Sequence, residues 1–404
     1  MIGLPTPDAN PYVPGFGVVP PALAGRESTF VDLDTAVRRA RSGSYEQPRL
    51  LTGDRGMGKT AVLAEFHTHS REQGDWVLDL EASADGNAIA VLLRGLDRAL
   101  QQADRDQRLG ALVANALGTI ASLTVAHSGL AVRVAFEPRR GVADSGDLPT
   151  DLADALIAAA TAASAAGKVI VVTVDEIQAL PAVQMAALFG ALQRLARHDL
   201  DPTLGTRLPV VAVVAGLPGS RAALRAGAGT YAERVREHPL DLLDDAAATE
   251  ALRVPASERG VRWSADAITS AVDAADGYPF AVQLLGYEIW SAAATDPSSD
   301  LITASDATRG VAAAKRELDR IYASRLDELP DTERHYLEAV AALPTGQRRS
   351  ATIAQSLGGS AHQWSWARAR LIDRGLLRAA GHGRVTFALP GLDDHLTRNP
   401  PAPR

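Results

Sequence analysis

The chain has 404 residues, of which 46% are hydrophobic and 22% are charged, as expected of a globular protein with two or three domains. It contains no cysteine, which excludes a disulfide framework, a cysteine-ligated metal site and a thiol nucleophile. The net charge is −7, yet residues 345–404 hold nine Arg against three Asp, so any nucleic-acid contact is expected at this basic C-terminal end.

Neither a membrane span nor a signal peptide is expected. The longest apolar runs are far too short to cross a bilayer, and the N-terminus has neither a basic segment nor an apolar one. The sequence therefore predicts a cytoplasmic protein with no membrane contact.

In chain order, the first feature is a Pro- and Gly-rich lead-in over residues 1–24. Short apolar strands then alternate with helical stretches up to residue 240, which predicts an α/β fold with a parallel sheet. Strands are predicted at Arg49–Thr52, Trp76–Glu81, Val169–Val174, Pro209–Ala215 and Val235–Leu240. Helices are predicted at Lys59–Gln73, Gly86–Ala103, Thr150–Ala166 and Pro181–Ala196.

The rest of the chain is expected to be mainly helical. Residues 104–149 are predicted to be an insertion, with a helix around Leu109–Leu123 and a short strand at Leu130–Phe136. From Asp244 to about Ser324 only helical patterns occur, at Ala265–Ala275, Tyr278–Ala293 and Ala304–Ile321. After Leu329 we predict helices at Asp331–Leu343, Ala351–Leu357 and Ser360–Arg374, with Asp331 and Ser360 as N-caps, then a hairpin of Leu376–Arg378 and Arg384–Leu389.

A phosphate-binding motif follows the first predicted strand. The residues that match G-x-x-x-x-G-K-[ST] are Gly53, Asp54, Arg55, Gly56, Met57, Gly58, Lys59 and Thr60. The loop's N–H groups and the start of the following helix attract phosphate oxygens, Lys59 is expected to reach the β- and γ-phosphates, and Thr60 to bind Mg²⁺. The alternative is a glycine-rich turn that matches by chance, against which stand the flanking strand and helix and the presence of only three lysines in the chain.

A second acidic element ends an apolar strand at Asp175 and Glu176. Asp175 is expected to hold Mg²⁺ through water, and Glu176 to polarise the water that attacks the γ-phosphate. The same two residues by themselves also fit the N-cap of a helix. Together with the loop at 53–60 they predict an ATPase.

The motifs resemble a known family. Gly25-Arg26-Glu27, Asp175-Glu176-Ile-Gln, Val213-Val-Ala-Gly-Leu-Pro-Gly and Gly277-Tyr278-Pro279-Phe280 are similar to segments of the AAA+-like P-loop ATPases of the archaeal-ATPase/STAND group, relatives of the archaeal origin-recognition ATPases. The resemblance implies a five-stranded sheet and a helical lid. It also implies that Arg26 and Glu27 lie near the adenine and that Gly277, Tyr278 and Pro279 contact the base or sugar. An ordinary helix start with Pro in its first turn is the alternative at Tyr278-Pro279.

Two departures from that family concern hydrolysis. The strand that should end in a polar sensor ends in Ala215-Gly216, and the lid lacks the Arg that often follows such a glycine. Slow turnover is therefore expected. Arg234 or Arg236 is a candidate arginine finger toward a neighbouring subunit of an ATP-bound homo-oligomer, although in so Arg-rich a chain a solvated helix face is the simpler explanation.

The C-terminal block resembles the winged helix-turn-helix domains appended to these ATPases. In such domains the helix after the turn enters the major groove of double-stranded DNA. The candidate DNA contacts are Gln363, Ser365, Arg368, Arg370 and Arg384. A winged helix that packs against protein is the alternative.

These features together predict four regions and one main function. The regions are a lead-in at 1–24, an ATPase core at 25–240, a helical lid at 241–325 and a winged helix at 326–404. The predicted function is an ATPase that couples nucleotide state to DNA binding, in replication, mobile-element maintenance or regulation. The alternative is a STAND-type signalling or defence switch in which the winged helix is a packing module.

Overall fold

A computed structural model of the chain describes residues 3–15, 17–104, 108–130, 136–200, 208–295 and 299–398. The described residues divide into two compact units. One comprises Arg26–Thr52 and Val62–Pro239, and the other draws on Met1–Gly25, Gly53–Ala61 and Leu240–Arg404. Among the described residues, no helix combines the length and the apolar character that crossing a membrane requires.

Strands and helices alternate along the first unit, which ends with an edge strand of its sheet. In chain order they are α1 (Glu27–Arg41), β1 (Arg49–Thr52), α2 (Lys59–Glu72), β2 (Trp76–Glu81), α3 (Ala88–Ala103), α4 (Gly110–Ala126), α5 (Leu148–Ala165), β3 (Ile170–Asp175), α6 (Ala182–Leu200), β4 (Val210–Gly216), α7 (Ser220–Ala228) and β5 (Arg236–Pro239). The predicted helix in the insertion is confirmed as α4, whereas residues 131–135 of the strand predicted beside it lie outside the described residues.

The five strands form one parallel sheet in the order β2-β3-β4-β1-β5. β1, β3 and β4 are the interior strands and are almost entirely buried, as their apolar runs predict. The edge strand β5 is mostly exposed and polar. The predicted α/β P-loop fold is confirmed, and the carboxyl ends of its parallel strands share one edge of the sheet.

The second unit contains a helical bundle with a short strand pair. Its elements are α8 (Asp245–Glu258), β6 (Arg262–Trp263), α9 (Ala265–Ala275), α10 (Pro279–Ala293), β7 (Leu301–Ile302) and α11 (Ala304–Asp327). The expectation of helical structure alone in this region was wrong, because β6 and β7 pair in parallel. Two residues are too few to show an alternating pattern. Backbone hydrogen bonds join the strands, from the Arg262 N–H to the Asp300 carbonyl at 2.7 Å and from the Ser264 N–H to the Ile302 carbonyl at 2.9 Å.

The predicted lead-in packs into this same bundle. Tyr12 is 2% exposed and makes edge-to-face contacts with Trp263 and Trp290, at centroid distances of 6.4 and 6.2 Å. Its hydroxyl donates to the carbonyl of Leu252, and the Trp290 indole donates to the carbonyl of Thr6 at 2.8 Å. The N-terminal segment is therefore an integral part of the bundle's core.

The C-terminal block has the predicted order of three helices and a hairpin. Its elements are α12 (Asp331–Ala341), α13 (Ser350–Ser356), α14 (Ser365–Asp373), β8 (Leu377–Ala379), β9 (Val385–Phe387) and a further helix that the sequence did not predict, α15 (Leu392–Arg398). The predicted N-caps were wrong: α12 is preceded by Pro330, and α14 begins five residues after Ser360. Ser360 instead accepts a hydrogen bond from the Gln363 N–H in the turn before α14.

Candidate nucleotide site

The phosphate loop runs from the end of β1 to the start of α2. Gly56 and Gly58 have φ of +80° and +86°, left-handed conformations that other residues adopt at a cost. A Cβ at Gly58 would meet nothing within 4 Å, so open space lies beside this backbone. At Gly56, by contrast, a Cβ would come within 2.6 Å of Tyr278 Cζ. The loop thus combines a tight turn with one open side.

Lys59 lies across its own loop. The side chain is 6% exposed, and Nζ donates to the carbonyls of Gly53 and Asp54 at 2.9 and 3.0 Å. Thr60 is exposed in the first turn of α2, and Met57 is buried beneath the loop. A lysine ammonium at this position in the loop attracts an anionic ligand.

Tyr278 braces the loop from the bundle within the same unit. It is 2% exposed, and its hydroxyl donates to the Arg55 carbonyl at 3.1 Å. Burial raises the pKa of Tyr278 to about 12. Pro279 is half-buried and begins α10. Contact of these two residues with a nucleotide base stays a prediction.

The sequence did not predict the charged surroundings of the loop. Asp54 is buried, and this burial raises the pKa of its carboxyl group, while Arg378 from β8 and Lys59 oppose the rise. Arg378 Nη1 lies 3.9 Å from Asp54 Oδ2. Arg325 of α11 is half-buried, and its burial lowers the pKa of the guanidinium. No local motif marks either arginine, because both are distant from the loop in the chain.

Asp175 and Glu176 lie at the carboxyl end of β3. Asp175 Oδ1 accepts a hydrogen bond from the Glu176 N–H at 2.8 Å. Glu176 has φ +51° and ψ +43°, a strained backbone that costs about 1–3 kcal/mol and is concentrated at functional sites in proteins. Its carboxylate accepts a hydrogen bond from Gln178 Nε2. The side chains that end β3 are thus locally ordered and partly exposed.

The two remaining arginine candidates lie in the sheet unit. Arg26 is 7% exposed and precedes α1 as its N-cap residue. Arg234 is exposed at the end of a short 3-10 helix, Gly229–Arg234. Its role as an arginine finger and that of Arg26 at the adenine both stay predictions.

The DNA-contact candidates have unequal surroundings. The Gln363 Oε1 accepts from the Ser360 N–H at 2.8 Å, and Ser365 Oγ donates to the His362 carbonyl at 2.7 Å, so both side chains are used in the turn before α14. The three arginine candidates differ in their contacts and in their exposure. Arg370 Nη1 lies 3.5 Å from the buried Glu333, Arg368 is half-buried, and Arg384 is exposed.

Two family descriptions match separate parts of the chain. Residues 22–211 match the family described as AAA ATPase domain. Residues 319–396 match a family described as a domain of unknown function (DUF8462). Comparison with curated proteins gives no match.

Solved structures similar to this chain cover nearly all of it. The walker-type ATPase PABY2304 of Pyrococcus abyssi is 14% identical with a TM-score of 0.58, and the match covers 93% of this chain and 96% of that one. The Aeropyrum pernix ORC2 protein in its ADPNP–ADP complexes is 14% identical with a TM-score of 0.55, over 95% and 96% of the two chains. At this identity the similarity concerns the fold. Residues 22–211 are therefore similar to the AAA ATPase domain family, and the fold of the chain is the α/β P-loop NTPase fold of these two solved structures.

Proposed function

We propose that the chain binds ATP at residues 53–60 and hydrolyses it to ADP and phosphate. The observation that carries the proposal is the phosphate loop, with its two left-handed glycines, its open side at Gly58 and Lys59 folded across it. The AAA ATPase domain supports it, as do ORC2 structures solved with ADPNP and ADP.

The residues have distinct proposed roles. Lys59 binds the β- and γ-phosphates, while Arg26, Tyr278 and Pro279 contact the adenosine. The Thr60 hydroxyl and the Asp175 carboxylate are oxygen donors of the kind that Mg²⁺ prefers, and both residues are accessible to solvent. Bound Mg²⁺ neutralises charge on the phosphoryl oxygens. Glu176 takes the proton of the attacking water as the new P–O bond forms and the bond to the bridging oxygen breaks.

Steady-state ATPase assays and nucleotide-binding titrations test these roles. Lys59→Ala is expected to lose both binding and turnover, whereas Glu176→Gln is expected to lose turnover and keep ATP bound. Equal turnover by wild type and Glu176→Gln would show that another group is the base. Normal ATP affinity in Lys59→Ala would show that the loop is not the nucleotide site.

We further propose that the C-terminal block binds double-stranded DNA. The backbones of Arg349 and Arg384 form an antiparallel bridge, which brings two exposed arginines together at the turn end of the hairpin. Trp366, 47% exposed, and Arg370 lie on the exposed side of α14. Exposed arginines and an aromatic ring are groups that contact phosphates and bases.

The C-terminal block also contacts the phosphate loop, which supports its coupling to nucleotide state. Arg378 of β8 approaches Asp54 at 3.9 Å, and a Cβ at Gly375 would lie 3.4 Å from Arg55 Cγ. A bound nucleotide adds negative charge next to this pair of opposite charges. We therefore propose that ATP weakens the attraction of Arg378 for Asp54 and shifts the hairpin.

Other ion pairs of the block favour the second candidate, a switch in which the block is a packing module. Much of its positive charge is already paired: Arg348 with Asp393 at 2.9 Å, Arg374 with Glu333 at 2.9 Å and Arg398 with Asp319 at 3.0 Å. The charge available to DNA is thus smaller than the residue count indicates.

Fluorescence anisotropy with a labelled duplex, with and without ATP and over a salt series, distinguishes the two candidates. DNA binding predicts salt-sensitive affinity that Arg349→Ala with Arg384→Ala weakens, with the slope of log K against log salt reduced by about 2. Arg320→Ala, an exposed arginine of α11, is the control. No binding in either nucleotide state would leave the packing module as the function of the block.

We also propose that ATP-bound chains assemble into a homo-oligomer with Arg234 as an arginine finger. The exposure of Arg234 supports this. Sedimentation of Glu176→Gln protein with ATP is expected to show assembly. Arg234→Ala is expected to lower ATP turnover without preventing assembly. If the protein stays monomeric in every nucleotide state, an arginine finger supplied by a second copy is excluded.

A further inference from the structure

Gln178 links the turn after β3 to the end of β4. Its Oε1 accepts hydrogen bonds from the Leu217 N–H at 3.2 Å and from the Ser220 hydroxyl at 2.9 Å. Its Nε2 donates to Glu176 Oε2. The partners determine the orientation of the amide, since an N–H can only donate and a carboxylate can only accept.

The end of β4 is shaped around this side chain. A Cβ at Gly216 would lie 2.5 Å from Gln178 Oε1 and 2.8 Å from Ile177 Cγ2, so no larger residue fits without displacing the amide. Ser220 is fully buried, so its hydroxyl is a fixed partner for the Gln178 amide. The glycine where a polar sensor was expected therefore makes room for a polar group from the turn that follows the neighbouring strand β3.

We infer that Gln178 is a positioning residue that holds the Glu176 carboxylate in the orientation needed to take a proton from water. This inference rests on the proposed ATPase function. The Gln178 amide engages one carboxylate oxygen, and the left-handed backbone of Glu176 brings its side chain to that amide. Ser220 and the Leu217 N–H act through Gln178, because their hydrogen bonds hold the amide that in turn holds Glu176.

Two substitutions at Gln178 separate positioning from folding. Gln178→Ala removes all three hydrogen bonds and is expected to lower kcat about 10- to 100-fold with little change in KM, because a misplaced catalytic group affects the chemical step. Gln178→Glu keeps an acceptor for Leu217 and Ser220 but places a carboxylate against Glu176. Two carboxylates in contact cannot both stay ionised near neutral pH, so the acid limb of the pH–kcat profile is expected to move up by about one to two units.

Gly216→Ala provides an independent route to the same defect. The added methyl group displaces the amide while Gln178 itself remains, and a similar loss of kcat is expected. Gln184→Ala is the matched control, since Gln184 also joins two segments, with hydrogen bonds to the Ala88 N–H and the Gly86 carbonyl, both at 2.8 Å. This control is expected to lower the melting temperature and leave kcat and its pH profile unchanged.

The outcomes also separate this inference from the ATPase proposal. If Glu176→Gln keeps wild-type turnover, the assignment of the base fails and the role of Gln178 fails with it. If Glu176→Gln is inactive while Gln178→Ala keeps wild-type kcat and Gln178→Glu keeps the wild-type pH profile, only the positioning role is overturned. A kcat loss in Gln184→Ala as large as that in Gln178→Ala would also overturn it, since a general structural effect would then explain both.

Discussion

Single side chains support the phosphate loop within its own unit. Tyr278 donates a hydrogen bond to the Arg55 carbonyl, and its ring occupies the space beside Gly56 that a side chain at that position would need. The tyrosine and the glycine are therefore matched to one another.

Tyr278→Phe tests this brace. The ring remains while the hydrogen bond to Arg55 is lost, so the free energy of unfolding is expected to fall by about 1 kcal/mol. Urea denaturation measures the change. Tyr287→Phe is the control on the same helix, since Tyr287 is 40% exposed. An equal stability of wild type and Tyr278→Phe would show that water replaces the bond without cost.

At the scale of elements, a buried carboxylate joins α4, α5 and the segment between them. Asp151 of α5 is 1% exposed and accepts from Ser145 Oγ at 2.6 Å, from the Gly146 N–H at 3.1 Å and from His127 Nε2 at 2.8 Å. Burial alone would raise the pKa of Asp151, but the hydrogen bonds from Ser145, His127 and Gly146 outweigh it and hold the pKa below its ordinary value.

The sign of this shift determines the pH dependence. A lowered pKa in the folded state means that Asp151 stabilises the fold at pH values above about 3.9, the value in the unfolded chain. This contribution is lost as the pH falls through the lower, folded-state pKa. For Asp151→Asn, the free energy of unfolding at pH 7 is expected to be about 1–3 kcal/mol lower than for wild type. The further loss of stability in acid is expected to be smaller than for wild type. Denaturation at pH 7 and in acid measures both effects, with exposed Asp85→Asn as control.

The N-terminal segment gives a second prediction at this scale. Tyr12 is enclosed by Trp263 and Trp290 of the bundle. Tyr12→Ala leaves a cavity among these rings and an unpaired Leu252 carbonyl, so a loss of about 3–5 kcal/mol is expected. Calorimetry checks it. Wild-type stability in Tyr12→Ala would mean that the segment contributes little to the core; Val13→Ala, at an exposed position, is the matched control.

At the scale of the whole molecule, the chain separates its charges along its length. The overall charge of −7 includes a basic C-terminal segment, where nine Arg face three Asp in residues 345–404. In the folded protein several of these arginines pair with acidic residues, including Glu333 and Asp319, which lie outside that segment. Part of the basic segment thus stabilises the second unit.

Nucleotide binding is expected to stabilise the molecule as a whole. A ligand present at 100 times its Kd adds about 2.7 kcal/mol to the free energy of unfolding. Thermal unfolding with MgATP should therefore show a higher midpoint for wild type and Glu176→Gln, and no shift for Lys59→Ala. A wild-type midpoint that MgATP leaves unchanged would contradict nucleotide binding.

Much of the sheet unit was predictable because its signals are local. The bounds of β1 and β2 agree with the predicted residues, and in the helical unit those of α9 agree as well. Buried parallel strands are continuous apolar runs, and they end at glycines or polar residues that can be read directly. α7 and α8 were not predicted as separate helices, since α7 is short and α8 carries Pro255 in its interior, where proline is normally disfavoured.

By itself, the sequence determined the class of fold, the phosphate loop and the acidic pair that ends β3, because each depends on residues adjacent in the chain. Only the tertiary structure brought Arg378 to Asp54, Tyr278 to Arg55 and Tyr12 into the bundle. It also placed Gln178 beside Gly216, where the sequence shows no sensor residue, since the room that Gly216 leaves is filled from the turn after another strand. Contacts between distant segments depend on packing, for which a single sequence carries no local signal.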